Sequence, residues 1–386
     1  MISFKPHITP DSFFHETSPA SSLRPSPSWP ITIYFITGNP GLISYYHAFL
    51  SLLGKKIVPG QDKFHIIGHS LAGFELEPDN AAAQNETQKQ KQKHVKDPQL
   101  EHEHEHYYDV EEQICFVQGR LEAHMRALRA DSAGTTTPTT DTTRSSSLAT
   151  SSEKQRQSPR PKVILIGHSV GTYMAMEILR RHRERQETAA SENNDFDIIG
   201  GVMLFPTVMD IASSPAGQKL MFLLRLIPQL ALVVSFFARI LTAVLPNPII
   251  RTLVKFVMRS PPDAAVDATV SFLKSKRGVR QALHMGADEM RTITTDKWSD
   301  DVWGVSRAPE PQSQPQLLTR LFFYFGRNDH WVAEQTREEI VAARGATTKA
   351  GPRMIVCEES LPHAFCLKHN ETMAHKVADM IQEIIE

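Results

Sequence analysis

"KVILIGHSVGTYMAMEILRR", Lys162 to Arg181, is the stretch on which the reading of this chain turns. Lys162 to Ile166 is an apolar, β-branched run of strand length. Gly167-His168-Ser169-Val170-Gly171 follows as a turn of small residues, and the chain then reads as a helix with no proline through Arg185. A G-x-S-x-G turn placed between strand and helix is a nucleophile elbow. The serine is bent into a strained conformation, so the positions two before and two after it, Gly167 and Gly171, must be small. The helix N-terminus then offers a backbone N–H, that of Val170, to a developing oxyanion.

A second stretch, "HIIGHSLAGF" from His65 to Phe74, resembles an elbow by its letters. Gly68 stands two before Ser70, but Ala72 stands two after it, and the chain runs on into "ELEPDN" with no helix to enter. It also comes one strand too early for a nucleophile. Ser70 is expected at a strand end beside the site, and Ser169 is the expected nucleophile.

Strand and helix signals alternate on either side. "PITIYFIT" (Pro30 to Thr37), "KFHIIGHS", "IIGGVMLFP", "LTRLFFYFG" and "PRMIVCEES" read as strands. "GLISYYHAFLSLLGKKI", "DVEEQICFVQGRLEAHMRALRA", "AEQTREEIVAARG" and the terminal "ETMAHKVADMIQEIIE" read as helices. Near-continuous apolar strands alternating with helices predict an α/β fold, a mostly parallel sheet covered on both faces.

A serine hydroxyl needs a histidine to take its proton and a carboxylate to orient that histidine. In a fold with this elbow the three come in the order serine, acid, histidine, each on a loop after a strand. Asp329 stands in the turn after "LFFYFG", and His363 follows the strand "MIVC". One helix and one strand fit between them. His330 competes with His363 but has no well-placed acid after it, and Glu358 or Glu359 would serve as the acid only if the strand ended early. For the oxyanion, the loop "TGNPG" offers a second N–H, that of Asn39, with Gly38 and Gly41 permitting close approach.

The bulk numbers set bounds. The chain has 386 residues, 41% of them hydrophobic, a formal net charge of −1 and three cysteines, Cys115, Cys357 and Cys366. One domain spanning 1–386 accommodates a large core. The charge gives no reason to expect a nucleic-acid partner. The cysteines are too few and too irregular for a disulfide framework, which points to a reducing, cytosol-facing compartment. The N-terminus lacks the basic start and apolar run of a signal peptide. Two polar stretches, 77–106 and 130–162, are read as disordered insertions. "EHEHEH" (Glu101 to His106) is read as solvated, with no metal and no cofactor expected.

"FITGNPGLISYYHAFL" (Phe35 to Leu50), "LIGHSVGTYMAMEIL", "LFPTVMDIASSPAGQKL" (Leu204 to Leu220), "FGRNDHWV" and "LPHAF" together resemble the lipid droplet-associated hydrolase family. The resemblance covers the chain outside the two insertions and implies an α/β-hydrolase fold. By position it puts the nucleophile on Ser169, the acid on Asp329 and the histidine on His363. It implies a lipid-ester substrate, sterol ester or acylglycerol, and a place on the lipid droplet or the cytosolic face of the endoplasmic reticulum membrane.

Residues 210–300 lie where such folds insert a helical cap. Within them Gly217 to Ser260 is apolar nearly all round, broken by Pro228 and by Pro246 to Pro248. A cap helix packed on its own domain needs only one apolar stripe. The excess predicts an interfacial hairpin on a lipid monolayer, with Arg225, Arg239, Arg251, Lys255 and Arg259 reaching headgroups. Its charges disfavour two spanning helices.

Overall fold

The computed structural model describes residues 4–17, 29–57, 63–76, 106–134, 160–188, 195–305, 319–345 and 351–386. Eight strands form one sheet: β1 (His7–Thr9), β2 (Ser12–Thr17), β3 (Ile31–Ile36), β4 (Phe64–His69), β5 (Lys162–His168), β6 (Asp197–Leu204), β7 (Arg320–Phe325) and β8 (Arg353–Val356). Their order is β1-β2-β4-β3-β5-β6-β7-β8. From β4 to β8 every pairing is parallel, while β1 and β2 form an antiparallel hairpin whose second strand pairs with β4. The sequence reading left this hairpin out. Phe13 and Phe14 of β2 are both buried, one in each core layer, so the strand carries no alternation to read.

Helices cover both faces, and the chain adopts the α/β-hydrolase fold. On one face, α1 (His47–Lys56) and the terminal α10 (Asn370–Ile385) bury Phe49, Leu50, Leu53, Val377 and Ile381 against the strands. On the other lie α2 (Val110–Gly134), α3 (Val170–Thr188) and α9 (Glu334–Arg344), with Leu121, Met125, Tyr173 and Ile340 in the core.

The two insertions fall mostly outside the described residues. Their ends differ from the expectation at three places. His106 is placed, with its imidazole on the Glu112 carboxylate. Helix α2 runs on to Gly134, taking in the first five residues of 130–162, and β5 begins at Lys162. Low apolar content hid the last turn of α2, whose earlier turns carry the packed face.

Five helices fill the connection between β6 and β7: α4 (Pro215–Leu226), α5 (Leu230–Val244), α6 (Asn247–Val257), α7 (Asp263–Lys274) and α8 (Gly278–Thr292). Ser214 caps α4 by accepting from the Gly217 N–H at 3.0 Å, with Pro215 in the first turn. Pro228 ends that helix, and α5 leaves at 93° to it. Among the described residues no single helix is long and apolar enough to cross a membrane; only the bent pair α4–α5 passes by length and composition.

Among the described residues sixteen large hydrophobic side chains stand exposed, and all but Ile8 lie between Phe222 and Val257, on α4, α5 and α6. Phe256 is 81% exposed and Val244 72%. A patch of this kind on a globular surface marks an interaction face. The basic residues divide: Arg251 pairs with Asp267 and Lys255 with Asp263 (2.7 Å), both acids on α7. Those two cations are tied back to the protein, contrary to their expected reach toward headgroups.

Among the described residues six histidines, His65 among them, are held neutral chiefly by desolvation. His69 and His168 are lowered to about 3, and His47, His124 and His182 to about 4. Each binds a proton more readily when unfolded, near 6.5, so the stability it contributes is complete above that pH and drains away as pH falls toward the folded values. Burial pushes Glu289 up to about 8 and acts in the opposite sense. Six imidazoles outweigh two raised carboxyls, Glu289 and Asp11. The melting temperature is expected to fall steadily from pH 7 to pH 5, and calorimetry showing a flat or rising profile there would contradict these burials.

Candidate active site

The site grows from the end of β5. Ser169 has φ 54°, a left-handed backbone for a residue with a side chain. The turn is possible because its flanks carry no Cβ. One on Gly167 would lie 2.5 Å from the Gly171 carbonyl oxygen, and one on Gly171 would lie 2.4 Å from that of Ile36. The helix α3 starts at Val170, as the elbow requires.

The three residues expected to act together do meet. The Ser169 hydroxyl donates to His363 Nε2 at 2.9 Å. His363 Nδ1–H donates to both Asp329 oxygens, at 2.9 and 2.8 Å. The Asp329 side chain is 1% exposed and that of His363 14%. Trp331 closes the acid turn by donating its backbone N–H to Asp329 Oδ1 at 2.8 Å. The alternatives stand apart: His330, Glu358 and Glu359 are exposed, and Glu359 pairs with Lys376.

The loop after β3 passes close to the elbow, for a Cβ on Gly38 would lie 2.9 Å from that of Ser169. Among the described residues neither the Asn39 nor the Val170 backbone N–H has a hydrogen-bond partner. The Asn39 side chain is engaged, donating to the Ala282 carbonyl (2.9 Å) and to Glu289 Oε1 (2.8 Å) on α8.

The second G-H-S sequence braces this loop. Ser70 Oγ accepts from the Ile43 N–H at 3.3 Å, and the Leu71 N–H donates to the Gly41 carbonyl at 2.8 Å. Among the described residues no histidine bonds the Ser70 hydroxyl, and no helix follows it; it lies at a strand end beside the site, as its neighbours in sequence predict.

A chain of hydrogen bonds that sequence reasoning missed joins the loops. The Gly38 N–H donates to Tyr46 Oη (3.3 Å). The His363 carbonyl can only accept, so His168 carries its proton on Nε2 and donates it there (2.9 Å), which leaves Nδ1 to accept from the Tyr46 hydroxyl (2.8 Å). Burial holds His168 neutral and lifts the Tyr46 phenol well above its ordinary value, so neither group ionises near neutrality. Nothing in "SYYH" distinguishes Tyr46, and His168 is overshadowed by the serine beside it.

A cavity of about 410 Å³ opens on Ser169 and His363. Leu220, Met258, Leu283, Trp331 and Leu367 give it apolar walls, and Glu289 and Asn39 add polar groups. Among the described residues no cluster of histidine, cysteine or acid side chains could hold a metal ion.

A family described as lipid-droplet associated hydrolase matches residues 30–136 and 143–366. The chain belongs to that family. Among similar proteins, the lipid droplet-associated hydrolase of Gallus gallus is 28% identical over 60% of this chain and 61% of its own length. That of Mus musculus is 24% identical over 90% of this chain and 84% of its own. The match thus spans less than two thirds of the chicken protein. Among solved structures, a haloalkane dehalogenase from Bradyrhizobium elkani is similar with a TM-score of 0.48 and 13% identity, covering 97% of this chain and 99% of that one.

Tyr46→Phe leaves the His168 Nδ1 buried without a donor and frees the Gly38 N–H, at a cost of about 1–3 kcal/mol. Esterase kcat is expected to drop by about tenfold with KM little changed, since only the loops that carry His363 and Asn39 are loosened. Steady-state kinetics of the variant on a soluble ester check this.

Proposed function

We propose that this member of the lipid-droplet associated hydrolases is a serine ester hydrolase of lipid esters, acting from the surface of the droplet or of the endoplasmic reticulum membrane. The observation that carries the reading is the unbroken line from Ser169 through His363 to Asp329 at the mouth of an apolar cavity. In this reading 1–386 is one domain and 210–300 its cap.

His363 Nε2 takes the proton as Ser169 Oγ attacks the ester carbonyl carbon. The carbonyl oxygen becomes an oxyanion and accepts from the Val170 and Asn39 N–H groups, which have no other partner among the described residues. Asp329 holds the imidazole in the needed tautomer and stabilises its charge. Collapse expels the alcohol with the proton from His363 and leaves the acyl group on Ser169. Water, deprotonated by His363, releases the fatty acid and restores the hydroxyl. The apolar walls suit an acyl chain, and the exposed side chains of α4 to α6 suit a monolayer from which it is drawn.

The same apolar face favours a second reading, a droplet-binding protein with weak hydrolysis. A fluorophosphonate probe separates the two. Wild type and Ser70→Ala are expected to label and Ser169→Ala to stay unlabelled; an unlabelled wild type supports the binding protein. Asp329→Asn is expected to lower kcat by roughly 10⁴.

Replacing Phe222, Phe236, Phe237 and Phe256 together by glutamate is expected to reduce flotation with phospholipid-coated triolein droplets by about tenfold or more. Undiminished flotation of the folded variant removes the interfacial assignment.

A further inference from the structure

The cavity contains one polar group with no duty in the steps above. Glu289, on α8, is 4% exposed and lines the same wall as Asn39. Its Oε1 accepts from Asn39 Nδ2. The orientation of that amide is fixed from its other side, because the Ala282 carbonyl can only accept, so Nδ2 must face both. Among the described residues no lysine or arginine lines the cavity, and the neighbouring Asp288 adds to desolvation in keeping Glu289 protonated, with its titration raised to about 8. With Oε1 serving as acceptor, the proton sits on Oε2, for which no partner exists among the described residues.

Asn39 Oδ1 also lacks a partner among the described residues, but an amide oxygen can only accept. Tyr45 Oη is bonded to Thr269 Oγ1 (2.9 Å) and Tyr46 to His168. A carboxylic O–H in an otherwise apolar cavity is a selective donor, since a ligand that fails to match it leaves it unsatisfied. The donor is close to the chemistry. Asn39, which it holds, follows the glycine packed against Ser169.

We propose that Glu289 is a specificity-determining residue whose Oε2 hydroxyl donates to an oxygen of the alcohol moiety beside the scissile ester, so that the site selects acylglycerols over esters of alcohols with no second oxygen. This rests on Ser169 being the nucleophile. A sterol ester, whose alcohol is hydrocarbon beyond the ester, has no oxygen to offer there.

Monooleoylglycerol and propyl oleate share an acyl chain and differ only in the two glycerol hydroxyls. Presented in the same detergent micelles to wild type, Glu289→Gln and Glu289→Leu, they read the preference as a ratio of kcat/KM. The wild type is expected to favour the glycerol ester by about tenfold. Glu289→Gln, which keeps an acceptor for Asn39 and a donor for substrate, should stay within about threefold of that ratio. Glu289→Leu, or Glu289→Met if the leucine variant does not fold, should bring the ratio near one. A disturbance of Asn39 slows both esters alike and cancels. A ratio equal in wild type and the apolar variant, or a wild type without preference, overturns the proposal.

If neither ester is turned over, the nucleophile reading is what fails for them. Ser169→Ala protein still reports selection through the fluorescence of Trp331, on the cavity wall. Tighter binding of monooleoylglycerol than of propyl oleate, lost in Ser169→Ala/Glu289→Leu, upholds the role of Glu289; equal binding ends it.

Discussion

The architecture of the site depends on one close approach of backbone to backbone. Strand β5 must deliver Ser169 in a left-handed turn and start a helix at the next residue, and it can do so only where Gly167 and Gly171 let the chain pass against itself and against β3. A methyl group at either place would meet a carbonyl oxygen well inside contact distance. Because β3 and β5 are paired neighbours, the same contact fixes where the Gly38–Asn39 loop lies relative to the serine. Parallel strands then deliver Asp329 and His363 to the same edge of the sheet.

What holds those deliveries in register is a set of buried neutral groups. Tyr46 and His168 carry hydrogen bonds in one direction, from the loop after β3 to the carbonyl of His363. Either would break the line by ionising, and burial opposes ionisation in both. Asn39 is held from the other side by α8, so the loop after β3 is shared between the sheet and the helices that join β6 to β7.

The sequence made the elbow and the order of acid and histidine legible, because glycine spacing and strand-to-loop placement are local. It also separated Ser169 from Ser70, through Ala72 and the absent helix. It did not reveal β1 and β2, whose six-residue strand buries adjacent phenylalanines in different layers. Nor did it reveal Tyr46, His168 or Glu289, since their partners lie 122, 195 and 250 positions away along the chain. Such pairings are set by how elements stack and leave no periodic trace. Surface apolarity of the cap was legible as composition, but the capture of Arg251 and Lys255 by α7 was not.

The bracing around Ser70 has a bearing on how this chain tolerates its extra length. Gln113 exchanges two hydrogen bonds with the backbone of Ala72, Gln281 exchanges two with that of Tyr108, and the Leu76 N–H is held by the Asp11 carboxylate. The points where the peptide leaves the core at Leu76 and re-enters at His106 are therefore pinned independently of whatever joins them. Closing a loop between fixed ends costs only about 0.6 kcal/mol more for each doubling of its length. Evolution can lengthen or trim that connection almost without thermodynamic consequence for the serine a few residues of packing away, which makes this position a natural place for inserting a tag or a reporter.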